Sequence, residues 1–318
     1  MVADATVLPR KPSKGIALRS LRLRVNGFEL NAERWSGGER ASVLLIHGLG
    51  GNSVTWHGVA PELARALGAE VLAIDLPGFG LSRTSGRRVG MRVLSSLLEA
   101  ILAAEAPHGT RWILAGNSLG AVLALELACR LPEHVAAVSV IAPALPLHWG
   151  RGPRGLAALS SWVPAALPWL GGRLIGNYMK KTGLPGVVDE PIRALFGDAA
   201  RLDPTLREHL LRVSENRLGW VMEAASAYEH VTRSLGIDLL RPAAVARWIR
   251  HVSCPVQAIR GGLDPIFPAA AWQTLERARP DWDFVTLPEI GHVPQLEAPR
   301  EVAHELAEWA ERRSLARS

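Results

Sequence analysis

Short apolar segments recur along this chain, each stopping abruptly at glycine, proline or a polar residue. They read "SVLLIHG" (42–48), "EVLAIDLPGFG" (70–80), "RWILAGNS" (111–118), "HVAAVSVIAPA" (134–144), "CPVQAIRGGLD" (254–264) and "DFVTLPEIGH" (283–292). A strand with one wet face alternates apolar and polar residues; a continuous apolar run is buried on both faces, as in a parallel sheet. Between these runs lie stretches with apolar residues at three- and four-residue spacing, at 60–68, 91–105, 119–131 and 299–313. Strands alternating with helices predict an α/β fold with a mostly parallel central sheet flanked by helices. Ahead of them, Asn26-Gly27 separates two alternating segments and predicts a β-hairpin, because that dipeptide tolerates the positive φ angles of a type I′ turn.

The alternation stops between about 146 and 240 and then resumes. That stretch holds helical pieces, many prolines and glycines, and no strand pattern. It is too long for a structureless loop. The expected organisation is a flexible N-terminal arm (1–17), a core built from 18–145 and 241–318, and an inserted helical cap at 146–240. The apolar run 155–172 is broken by Pro164 and Pro168 and is read as packing of the cap. Trp149, Trp162, Trp169 and Trp220 read first as residues that pack the cap on the core; the apolar, aromatic character they give the insert also suits an apolar substrate group.

The 318-residue chain carries a net charge of +6, but its arginines are scattered and form no basic stripe, which argues against a nucleic-acid partner. Two cysteines, Cys129 and Cys254, do not make a disulfide framework and read as packing residues. The N-terminus lacks a signal-like apolar core, and no run reaches membrane-spanning length. A cytoplasmic protein with no stable membrane insertion is therefore expected. The oligomeric state is not legible.

Within "ILAGNSLGAVLAL" (113–125), an apolar strand and an apolar helix meet at a serine set between two glycines. Interior glycine weakens both strands and helices, so its presence needs a reason. A strand, a tight turn and a helix without spacers would crowd any side chain at Gly116 and Gly120. Such a turn lifts the Ser118 hydroxyl above the sheet edge, at a helix N-terminus that favours negative charge.

A serine hydroxyl becomes a nucleophile only when a base takes its proton, and that base needs an orienting acid. His292, just beyond the last strand, lies at the same sheet edge, where strand ends of parallel sheets collect reactive groups. Asp264 stands at the C-terminal end of the preceding strand. The strand at 134–141 ends in Ala142-Pro143-Ala144, with no competing acid. His57, His108, His134, His148, His209, His230, His251 and His304 have no paired acid at a telling position and read as structural. No histidine–carboxylate cluster has metal-ligand spacing, so neither metal nor cofactor is expected.

Acyl chemistry also needs donors for an oxyanion. Leu119, after the serine, supplies one backbone N–H. Leu49, after His47-Gly48, is the expected second, its side chain touching substrate. Gly48, Gly50 and Gly51 let that loop approach closely. His47 reads as a loop-shaping residue and Asp75 as a turn-fixing one.

With these residues placed, the chain resembles the lid-bearing α/β-hydrolase superfamily. "HGLGG", "DLPGFGLS", "GNSLGA", "GGLDPIFP" and "GHVPQLEAP" appear in that family's order, over roughly 20–145 and 240–312. The resemblance implies an α/β-hydrolase fold, a nucleophile elbow at Ser118, and the triad order Ser118, Asp264, His292. Serine at the elbow sets the chain apart from dehalogenases and epoxide hydrolases, which place aspartate there. The function implied is hydrolysis of a small to medium apolar carboxylic ester through an acyl-enzyme. Asn117 resembles the "GNSMGG" of carbon–carbon bond hydrolases of ring-cleavage products, but "HGLG" lacks the proline of their "HGPG". That reaction is the alternative, followed by a slow-turnover ligand-binding relative.

Overall fold

The computed structural model describes residues 16–105, 111–145, 171–241, 244–267 and 269–315. Its strands are β1 (Ala17–Val25), β2 (Phe28–Ser36), β3 (Ala41–Ile46), β4 (Ala69–Ile74), β5 (Trp112–Asn117), β6 (Val135–Ile141), β7 (Val256–Gly261) and β8 (Asp283–Leu287). They form one eight-stranded sheet in the order β1-β2-β4-β3-β5-β6-β7-β8. β1 and β2 are the expected hairpin, with positive φ at both Asn26 and Gly27. β2 pairs antiparallel with β4, and the remaining neighbours run parallel. Ile16 is buried and Ala17 opens β1, inside the stretch read as an arm; residues 1–15 lie outside the described residues.

The described helices are α1 (Ala60–Leu67), α2 (Met91–Glu105), α3 (Leu119–Arg130), α4 (Gly171–Leu195), α5 (Pro204–Asn216), α6 (Val221–Leu240), α7 (Ala244–His251), α8 (Ala269–Ala278), α9 (Pro294–Glu297) and α10 (Pro299–Arg312). Period-two geometry explains why the central strands are apolar throughout. Leu44 and Ile46 of β3 enter one core cluster with residues of α2, α3, α7 and α8. Val43 and Leu45 enter another with α1 and α10. β4 and β5 divide their residues in the same way. Each strand thus serves two cores, and a one-residue slip would exchange them.

A third cluster lies off the strand ends. Val188, Ile192 and Phe196 meet Leu206, Leu210 and Val213 of α5, with Val54 and Leu296. No strand occurs between β6 and β7 among the described residues. Two of the helical pieces of this stretch are α5 and α6, and α6 runs on to Leu240. Val231, Leu235 and Leu239 of α6 join the first core cluster, so this helix packs on the sheet domain as well as on α4. Trp149, Trp162, Trp169 and the apolar segment up to residue 170 lie outside the described residues, as do His108 and His148. No described helix is long and apolar enough to cross a membrane.

Cys129 and Cys254 are free and half-buried, and burial pushes both thiols up to about 11. Cys129 Sγ lies 3.2 Å from the Trp248 carbonyl, consistent with a packing role.

Candidate active site

The chain leaves β3 toward β4 on one side, then crosses to β5 on the other, so the crevice between β3 and β5 is where strand order reverses. Loops at such a point splay apart and leave room for a ligand. Here the loop after β3 carries His47, Gly48 and Leu49, and the turn after β5 carries Ser118.

Ser118 has φ 53° and ψ −108°, a conformation costing a non-glycine residue on the order of 1–3 kcal/mol. Its neighbours make the turn possible. A Cβ on Gly116 would stand 2.3 Å from the backbone of Gly120, so the strand and the helix can close only over glycine. A Cβ on Gly120 would stand 2.2 Å from the Ile46 carbonyl. The second glycine therefore admits α3 to the end of β3, rather than relieving Ser118 itself. Leu119 opens α3, and its N–H is one of the first-turn donors that a helix cannot satisfy internally. Among the described residues no acceptor takes the N–H of Leu119 or of Leu49, and none bonds Ser118 Oγ.

His292 follows β8, and its Nδ1 lies 2.8 Å from Asp264 Oδ2, both side chains being more than nine-tenths buried. The other oxygen of Asp264 accepts the N–H groups of Ile266 and Phe267, which fixes the carboxylate. Asp264 thus orients the imidazole through Nδ1 and leaves Nε2 for another partner. The Phe267 ring packs 5.7 Å from the imidazole.

Ser118, His292, Gly48 and Leu49 line one cavity of about 250 Å³. Val188, Ile192 and Phe196 form much of its opposite wall. Leu119 is fully buried beneath the site and is not part of the wall. Trp220, read as a packing residue of the cap with a substrate-facing role as the alternative, does not line the cavity; the Arg83 and Arg217 guanidinium groups cover its ring at 5.8 and 5.4 Å. The wall is largely aliphatic, with Phe196 and Tyr228 as aromatic members alongside His292, and it also carries the polar side chains of Asn52, Thr55, Ser214, Arg217 and Gln295.

His47 shapes the loop as expected. Leu76 N–H donates to its Nε2 at 3.0 Å, so the proton sits on Nδ1, which donates to the Gly48 carbonyl at 2.7 Å. Burial lowers its pKa to about 4, which keeps the ring neutral. A Cβ on Gly48 would lie 2.7 Å from Asn117 Oδ1, so a side chain there would have to displace an amide held by two hydrogen bonds. Asp75 fixes turns by accepting from Asn31 Nδ2, Ser53 N and Leu81 N. Burial raises its pKa, and the two backbone hydrogen bonds oppose the rise.

Several positioning groups were not evident from the sequence. Asn117 Nδ2 donates to the carbonyls of Ile141 and His292, tying the elbow to the histidine loop. Glu297 accepts from Gly291 N at 2.7 Å, Asp198 N at 2.9 Å and Gly197 N at 3.2 Å. His292 N donates to the Leu195 carbonyl at the end of α4. His57, read as having no acid partner, is 2.6 Å from the buried Glu33 of β2. The pair is not on the cavity wall.

The model for the alpha/beta hydrolase fold matches residues 41–299. The chain belongs to the α/β-hydrolase fold family. It is 28% identical over 276 residues to a pimeloyl-[acyl-carrier protein] methyl ester esterase of Aeromonas hydrophila, covering 86% of this chain and 96% of that one. It is also 28% identical over 278 residues to the dihydrolipoyllysine-residue acetyltransferase component of the acetoin cleaving system of Pseudomonas putida, where 86% of this chain spans 65% of that protein. A thermophilic esterase from Thermogutta terrifontis superposes with a TM-score of 0.66 at 22% identity, covering 92% of this chain and 98% of that one. For this α/β hydrolase, the family accounts for the eight-stranded, mostly parallel sheet with its flanking helices.

Proposed function

We propose that this protein is a serine carboxylic ester hydrolase, with Ser118 as nucleophile, His292 as general base and Asp264 as its orienting acid. The reading rests on one observation: an aspartate-held imidazole opens onto the same cavity as a serine in a strained turn at a helix start. The methyl ester esterase named among its relatives carries out chemistry of the same kind.

In the reaction, Ser118 Oγ adds to the ester carbonyl carbon while its proton passes to His292 Nε2. The carbonyl oxygen becomes an oxyanion and takes the N–H groups of Leu49 and Leu119. Collapse breaks the bond to the alcohol oxygen, which leaves with the proton from His292, and the acyl group stays on Ser118. Water then repeats the addition, releasing the acid and restoring the serine. Each oxyanion donor contributes about 3 kcal/mol to such a step. Helices α4, α5 and α6 act as a cap over this centre, and their aliphatic wall suits a small to medium apolar acyl group. Asn117 has a structural reason here, since it pins the His292 carbonyl, and so it does not require a carbon–carbon bond substrate.

Turnover of a p-nitrophenyl ester series tests the reading. Ser118→Ala is expected to lower kcat by at least about four orders of magnitude. Hydrolysis at the wild-type rate in that variant overturns it. Stoichiometric ester binding without turnover by the wild type favours a ligand-binding role instead.

A further inference from the structure

Among the described residues that line the cavity, Arg217 is the one with a permanently charged side chain. It follows α5 directly, one turn beyond Ser214, which lies on the same wall. Its guanidinium has five N–H donors. Nη2 donates to the Gly78 carbonyl at 3.2 Å, and the group stacks on Trp220. Nε is buried and has no partner. No carboxylate lies within ion-pair distance of it among the described residues.

The nearby acids are committed elsewhere. Glu223 takes Arg83, Thr84 and Ser85. Asp75 takes Asn31, Ser53 and Leu81. Burial lowers the guanidinium pKa to about 10, and Asp75 partly offsets this, so the cation persists at neutral pH. Arg217 is half-buried, with Nε fully enclosed and the rest of the guanidinium partly exposed, and a partly desolvated charge gains from an ionic partner when one is supplied. On the wall of a ligand cavity, the missing partner is one that a ligand can bring. A carboxylate suits it, because its two oxygens match the planar donor fork of arginine.

We infer that Arg217 binds a carboxylate of the substrate, so that the preferred substrates are half-esters of dicarboxylic acids rather than wholly apolar esters. This rests on the esterase reading and refines it. The apolar wall accommodates the methylene chain, Ser118 takes the ester carbonyl, and Arg217 takes the free acid. An uncharged ester of the same length leaves the guanidinium unpaired on binding.

The test compares the monomethyl esters of succinate, glutarate, adipate and suberate with the methyl esters of monocarboxylic acids of equal length, using the full-length protein. At least one half-ester is expected to show kcat/KM about tenfold above its neutral match, carried mainly by KM. Arg217→Met is expected to lower kcat/KM for that half-ester about tenfold more than for the neutral ester, and Arg217→Lys to restore part of the difference. Neutral esters turned over as well as or better than half-esters across the wild-type series overturn the inference, whether or not the variants fold. Equal losses on both ester kinds in a folded Arg217→Met overturn it too. Failure of the wild type to hydrolyse either kind overturns the esterase reading beneath it, which keeps the two failures distinct.

Discussion

The groups around Ser118 divide into those placed to react and those that hold shape, and His47 shows how sharply physical chemistry separates them. An imidazole beside a nucleophile invites a role as base. Yet its Nε2 is occupied by the Leu76 N–H, its Nδ1 proton is spent on Gly48, and its pKa falls from 6.5 to about 4. The consequence for stability has a definite sign. Between pH 6.5 and about 4 the unfolded chain binds a proton at this position and the native state does not, so native stability is lost as pH falls through that window. By pH ~4.5 the loss is about 2–3 kcal/mol. Urea unfolding of the wild type and of His47→Gln checks this. The wild type is expected to lose that much more between neutral pH and pH ~4.5, whereas parallel losses mean that His47 titrates normally.

Elements meet at the site through backbone contacts that side-chain patterns do not reveal. The end of α4 and the loop carrying His292 are bound together twice: His292 N–H donates to the Leu195 carbonyl, and Glu297 accepts from Gly291, Gly197 and Asp198. The same helix supplies the cavity wall at Val188 and Ile192, so substrate packing and imidazole position share one support. Glu297→Gln replaces one accepting oxygen with a donor that faces other donors. It is expected to cost about 1–3 kcal/mol of stability. In the fraction that stays folded, kcat is expected to fall more than KM rises, since the change displaces the base rather than the wall. Thermal melts and steady-state kinetics read both, and an unaltered kcat would make Glu297 a purely structural residue.

At the scale of the whole molecule, the sheet was legible because burial on both faces forces continuous apolar strands, and the two clusters that divide Val43 and Leu45 from Leu44 and Ile46 show why. Ser118, Asp264 and His292 could be picked out as candidates because each follows a strand's C-terminal end, beside glycine or proline that breaks the local pattern. Local spacing could not reveal partners far apart in sequence: Asn117 and the His292 carbonyl are 175 residues apart, and Gly197 and Glu297 are 100 apart. The pairing of His57 with Glu33 was hidden because it depends on how the loop after β3 packs against β2. α4 was obscured by Gly183, whose φ of 68° kinks it, and by Pro185 and Pro191 within it. The most direct test of the whole arrangement is reaction of the full-length protein with a fluorophosphonate, with the adduct mapped by peptide mass spectrometry. A single adduct on Ser118, formed orders of magnitude more slowly in His292→Ala, is the expected result. An adduct on a different residue, or labelling of Ser118 at an undiminished rate without the imidazole, would contradict it.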